Sequence, residues 1–126
     1  MKTILLVDDE PDFVKVIKMR LEANGYQVIT ASDGQEGVKI AKSQSLNLII
    51  MDIMMPRMPG GEAVKLLKSN DQTKNIPIIF FTAMNTYLPI GTEFNKINVD
   101  GQLYPAIAKP FDPITLLSTI KSILGE

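Results

Sequence analysis

Apolar residues fall along this chain in short unbroken runs that alternate with longer stretches of helical spacing. The runs at 3–7 (TILLV), 26–30 (YQVIT), 46–51 (LNLIIM), 77–82 (PIIFFT) and 105–108 (PAIA) are each bounded by polar or turn-forming residues, the pattern of buried strands. Between them the period changes. Pro11 opens a helix in which Val14, Ile17 and Leu21 share a face, and Asn24-Gly25 stops it. A second helix follows Ser32 as its N-cap, with Val38 and Ala41 facing inward. A third follows the stretch PRMPGG, where Ala63, Val64, Leu66 and Leu67 are too evenly spread to define one face. The last begins at FDPITLL, with Asp112 as cap and Pro113 at the first helical position, and is expected to bury Ile114, Leu117, Ile120 and Leu124.

Strand and helix alternating at this spacing predict a doubly wound α/β architecture: a parallel sheet of five strands with helices on both faces. Parallel neighbours need a crossover, and crossovers are right-handed. The 126 residues fit one domain spanning 1–126. Such a sheet binds its ligand outside the carboxyl ends of its strands. The residues that close the apolar runs are Asp8 and Asp9 after the first, Asp52 after the third, Thr82 after the fourth and Lys109 after the fifth. Each alone is ordinary. Together they bring three carboxylates, a hydroxyl and an ammonium to one edge of the sheet, which makes a pocket.

The opening stretch ILLVDDEPDF sharpens the point, because a core strand runs straight into Asp8, Asp9 and Glu10. Crowded carboxylates repel one another and resist burial unless a cation or a set of donors compensates. Composition narrows what the cation is for. With 13 Lys+Arg against 14 Asp+Glu, the net charge of −1 offers no pull toward nucleic acid or an anionic membrane. The chain has no cysteine and no histidine, so thiol chemistry, a histidine base, a zinc site of the usual kind and a phosphohistidine of its own are excluded. Oxygen ligands alone favour a hard cation, and two carboxylates with water commonly hold Mg²⁺. A remaining carboxylate is then a nucleophile for a phosphoryl group whose charge the metal and a lysine neutralise, which points to an aspartyl phosphate.

The segments LLVDDEPDF, LIIMDIMMPRMPGGE, IPIIFFTA and AIAKPFDP, in this order and spacing, resemble the receiver domain of two-component response regulators over essentially all 126 residues. The resemblance implies a flavodoxin-like sheet of strand order 2-1-3-4-5. It implies that Asp52 accepts phosphate from a phosphohistidine on a histidine kinase or a histidine phosphotransfer protein. It further implies that Asp9 and Asp52 bind Mg²⁺ directly, that Asp8 helps through water, and that the backbone carbonyl of Met54 completes the protein ligands. Thr82 would turn toward the phosphoryl oxygen and Lys109 would pair with it. Such a protein is a regulator that catalyses only its own phosphorylation and slow dephosphorylation. Met54 and Met84, two residues after the acceptor and two after the threonine, would flank the path of the attacking water.

Two rival functions share parts of this pattern. A flavodoxin-like electron carrier would need a loop of backbone donors after the first strand, where DDEPD instead repels a phosphate. A phosphatase of the haloacid dehalogenase type would need a second acid two residues after its nucleophile, where this chain has Met54. One departure from the receiver pattern marks the output face: the aromatic usual three residues before the lysine is replaced by Ala106, and the nearest ring is Tyr104. The segment 83–105 is long, and Pro89, Gly91, Gly101 and Pro105 would interrupt a helix there. The expected location is the cytoplasm, without a signal peptide or membrane span. The last helix ends at Gly125-Glu126, so output is expected through a downstream protein or through an effector fused in a longer chain.

Overall fold

A computed structural model of the chain describes residues 1–53, 55, 58–83, 96–99, 101–109 and 113–126, with Ala83, Lys96 and Lys109 described through the backbone alone. In chain order the elements are β1 (Thr3–Val7), α1 (Pro11–Ala23), β2 (Gln27–Ala31), α2 (Gly34–Ser43), β3 (Leu48–Asp52), α3 (Gly60–Lys68), β4 (Ile78–Ala83), β5 (Lys96–Val99), β6 (Gln102–Lys109) and α4 (Pro113–Leu124). The strands form one sheet of order β2-β1-β3-β4-β6-β5. Pairing is parallel from β2 through β6, so the expected parallel strands occur in the expected order. This is a doubly wound α/β sheet of the flavodoxin-like order.

The sheet is buried on both faces, which explains why β1 and β3 read as unbroken apolar runs. Residues alternate between two cores. Leu5, Val7, Ile49, Met51 and Phe80 pack with α2 and α3, whereas Ile4, Leu6, Ile50, Ile79 and Phe81 pack with α1 and α4. Ile17 and Leu21 give α1 its inward stripe, and the ring of Phe13 stands edge-on to Phe81 at 5.3 Å. In α3 the even apolar distribution resolves into Gly60, Ala63, Val64 and Leu67 inward, with Leu66 half out of the core.

Several expectations change in detail. The sheet has a sixth strand: β5 pairs antiparallel with β6, and the Val99↔Gln102 pair closes the hairpin. Gly101 in its turn has φ +84°, a left-handed conformation that glycine adopts without steric cost. Pro105 lies within β6 and not at a strand start, one residue before the pairing with β4 begins at Phe80↔Ala106, so its missing N–H removes nothing from that ladder. The N-cap of α2 is Asp33 and not Ser32. The Asp33 carboxylate accepts the Glu36 N–H at 2.8 Å, while the Ser32 hydroxyl donates to the Glu36 side chain at 3.1 Å. In α4 the buried residues are Leu116 and Ile120, with Leu117 and Leu124 partly covered; Ile114 is 74% exposed because it lies on the outward side of that stripe. Asp112, Pro89 and Gly91 lie outside the described residues. Among those described, no helix is long and apolar enough to cross a membrane.

The end of the sheet away from the acidic run is closed by α4. Tyr26, buried immediately before β2, donates its hydroxyl to Glu126 Oε1 at 2.7 Å, and Lys2 Nζ donates to the Leu124 carbonyl at 2.9 Å. Burial, then the bond to the Glu126 carboxylate, pushes the Tyr26 phenol from 10.0 up to about 12. A raised phenol contributes stability that is complete below its unfolded pKa and is lost as pH rises through the folded one. Tyr26→Phe should therefore cost roughly 1.5 kcal/mol at neutral pH, as a hydrogen bond to a charged acceptor does. The gap between wild type and variant in urea unfolding should close between pH 10 and 12. A gap that is constant across that range would show that the phenol is not held in its neutral form by the fold.

Candidate functional site

The register of the sheet decides which side chains meet. Val7 pairs with Met51, so the residues that follow, Asp8 and Asp52, leave adjacent strands side by side. Asp52 pairs with Phe81 and Thr82 with Ala108, which carries the same edge across β4 to β6. Lys109 ends β6 opposite Ala83 at this edge; its side chain lies outside the described residues. Met54 and Met84 also lie outside them.

Beyond β1 the chain turns tightly. The Asp8 N–H donates to the Ala31 carbonyl at 3.1 Å, extending the β2 ladder by one residue. The Asp8 carboxylate accepts the Glu10 N–H at 3.0 Å, an Asx-turn that folds the loop back before Pro11 starts α1. As a result the carboxylates of Asp8, Glu10 and Asp52 lie within 4.8 Å of one another. Asp8 and Asp52 are only 2% and 7% exposed, and Glu10 is on the surface. Thr82, one strand over from Asp52, is buried.

Asp8 and Asp52 are thus brought together as the sequence predicts, with Thr82 beside them. Asp9 is exposed and outside this trio; it lines, with Asp8, Thr30, Ser32 and Glu36, a neighbouring cavity of about 190 Å³. Glu10, the third acid of the run, supplies the third carboxylate, a place that neither composition nor spacing assigns it. The signal for it was an aspartate two residues upstream, able to draw the Glu10 amide inward.

The donor set suits a hard divalent cation. All three groups are carboxylates, two are almost fully buried, and an exposed third leaves one side open to water, an arrangement that fits Mg²⁺, which keeps several waters. The other end of β6 is closed by a ring. Ala106 is buried opposite Phe80, two residues short of the Thr82 partner. Tyr104 stands in the same core with its ring edge-on to Phe80 at 5.7 Å. Lys68 Nζ lies 5.6 Å from the centre of that ring while donating to the Lys74 carbonyl at 2.8 Å, and burial holds this ammonium below its ordinary range.

Similarity to known proteins follows the same lines. The alkaline phosphatase synthesis transcriptional regulatory protein PhoP of Bacillus subtilis is 37% identical over 124 residues, which is 98% of this chain and 48% of that protein. The chain spans about half the length of the transcriptional regulators it matches. Protein PilH of Pseudomonas aeruginosa is 34% identical over 126 residues, 99% of each chain. Among solved structures, the receiver domain of a Pseudomonas aeruginosa sensor histidine kinase, with a magnesium ion coordinated in its active site cleft, superposes with a TM-score of 0.83 at 27% identity, covering 99% of this chain and 98% of that one. The response regulator receiver domain family matches residues 4–121, nearly every element that builds the acidic edge, and the chain belongs to that family, the receivers of two-component systems.

Proposed function

We propose that residues 1–126 act as one receiver unit in which Asp52 takes a phosphoryl group from the phosphohistidine of a histidine kinase or histidine phosphotransfer protein. The observation that carries this reading is the meeting of Asp8, Glu10 and Asp52 within 4.8 Å at the carboxyl edge of the parallel strands. Asp52, at the end of β3, is the nucleophile: a carboxylate oxygen bonds to phosphorus, the P–N bond to the donor imidazole breaks, and the imidazole leaves. Mg²⁺, when bound, neutralises charge on the transferred group. It would be held by Asp52 and the acidic β1–α1 loop, with Asp9 turning in from its exposed position as a direct ligand, Asp8 helping through water and the Met54 carbonyl completing the set. Glu10, drawn inward by Asp8, adds a third carboxylate to the cluster.

Thr82 donates its hydroxyl to a phosphoryl oxygen and Lys109 pairs with another. Receivers are regulators and not enzymes of the ordinary kind; this one catalyses only its own phosphorylation and slow dephosphorylation. Output passes to a downstream protein or to an effector carried in a longer chain, as the half-length match to transcriptional regulators supports. The net charge of −1 supports no direct contact with nucleic acid or membrane, and a chain without cysteine suits the cytoplasm.

Two measurements test this. Asp52→Asn removes the nucleophile, so incubation with acetyl phosphate and Mg²⁺ should add about 80 Da to wild type and nothing to the variant in intact-mass spectrometry. An adduct of the same size on Asp52→Asn would move the acceptor elsewhere. The lifetime of the acyl phosphate is the second readout. Neither Met54 nor Met84 orients water as an amide or carboxylate does. Met54→Asn with Met84→Glu should accelerate loss of phosphate up to about tenfold, equivalent to roughly 1.4 kcal/mol in the barrier. An unchanged decay after removal of the donor would mean that water reaches Asp52 by a route these side chains do not flank.

A further inference from the structure

Two glycines lie close against residues that flank Asp52 in the chain, Gly60 against Asp52 and Ile53 and Gly34 against Met58. A Cβ on Gly60 would stand 2.6 Å from the Asp52 carbonyl oxygen, 2.9 Å from Ile53 Cα and 3.2 Å from Phe80 Cε1. All three are backbone or core atoms with nowhere to retreat. Gly60 also donates its N–H to the Ile53 carbonyl at 3.0 Å, so the first residue of α3 lies directly on the acceptor's own peptide. A Cβ on Gly34, at the start of α2, would stand 2.5 Å from the Met58 carbonyl oxygen and 3.1 Å from Met58 Cβ. Met58 precedes Gly60 by two residues. Gly61, next in line, faces open space, so closeness is not a general property of this corner.

These contacts form one chain of backbone approaches from α2 to Met58, from Met58 to Gly60 and from Gly60 to Asp52. The α2 end is itself fixed. Asp33 accepts the Glu36 N–H at 2.8 Å, its carbonyl accepts the Gly37 N–H at 3.0 Å, and Ser32 holds the Glu36 side chain at 3.1 Å. Ser32 and Glu36 line the cavity that Asp8 and Asp9 also line, so the same turn borders the acidic loop.

We propose that Gly34 is a positioning residue for phosphoryl transfer. By letting the first turn of α2 close onto the Met58 carbonyl, it fixes Met58 and Gly60 against the Asp52–Ile53 peptide and so sets the aim of the Asp52 carboxylate, although it touches neither metal nor phosphate. The inference rests on Asp52 being the phosphoacceptor. A side chain at position 34 would push Met58, and with it Gly60, by a fraction of an ångström or more. Misplacement of about 1 Å can cost up to about 100-fold in rate.

The test compares Gly34→Ala with Gly61→Ala, which meets nothing, and with Ile120→Val, which loosens the far core in α4. The readouts are the initial rate of phosphorylation by acetyl phosphate in intact-mass spectrometry and the Mg²⁺ affinity by calorimetry, below the melting range of every variant. Gly34→Ala should slow phosphorylation on the order of tenfold and weaken Mg²⁺ binding. Gly61→Ala and Ile120→Val should leave both unchanged, even where Ile120→Val melts lower. A purely structural role would move melting alone, so a Gly34→Ala rate equal to wild type overturns the inference. An unphosphorylated wild type would overturn the acceptor reading as well, which separates the two failures. Should Gly34→Ala not fold, hydrogen exchange on wild type decides: the Glu36 and Gly37 amides should gain protection when Mg²⁺ and beryllofluoride fill the site. Unchanged protection there would contradict the coupling.

Discussion

Carboxylates held at close range without being allowed to separate are the constraint around which this molecule is arranged. Two unit charges roughly 5 Å apart repel by about 3 kcal/mol at an effective dielectric near 20. Asp8 and Asp52 endure such proximity while almost fully buried, and Glu10 adds a third group from the surface. No local preference would place them so. The register of β1 against β3 does, because Val7 and Met51 are partners and neither strand can slip without turning its apolar residues into the wrong core. The hydrophobic sheet thus stabilises an arrangement that its own edge opposes.

That division of labour explains why both faces of the sheet are packed so completely. Ile4 through Val7 and Leu48 through Met51 are all inaccessible to solvent, and the cores on either side draw on alternate residues of the same strands. A rigid platform lets short loops carry the chemistry. The β1–α1 loop is closed by one Asx-turn at Asp8, and Met58 and the Asp52 carbonyl are fitted against Gly34 and Gly60 with tolerances below the size of a methyl group. The opposite end of the sheet, with Lys2, Tyr26 and Glu126, contributes to stability and is remote from the acidic edge.

Much of this was legible in the residues because burial writes itself plainly: TILLV, LNLIIM and PIIFFT could hardly be anything but interior strands, and the residues that close them had to share an edge. What escaped was decided by backbone geometry. The β5–β6 hairpin was hidden because Lys96 and Asn98 give β5 little apolar content, and the Asp100-Gly101 pair, a strong hairpin signal, reads equally as a helix breaker. Ser32 and Asp33 are both good caps, and only the position of the first helical turn selects the second. Ile114 looks like core by composition, but Leu116 and Ile120 define the stripe that faces the sheet. In the acidic run, whether Asp9 or Glu10 turns toward Asp52 depends on the dihedrals of one loop, which no spacing rule encodes.

A frustrated acidic cluster at this edge would be relieved by a bound cation. Thermal melting of wild type and Asp52→Asn, each in chelator and in millimolar Mg²⁺, tests it most directly. The account predicts that Asp52→Asn melts above wild type in chelator, each 1 kcal/mol of repulsion relieved raising Tm by roughly 3 to 5 °C in a domain of this size. It predicts also that Mg²⁺ raises Tm for wild type by binding the native state, and does little for the variant. A wild type indifferent to Mg²⁺, together with a variant no more stable than wild type in chelator, would contradict it.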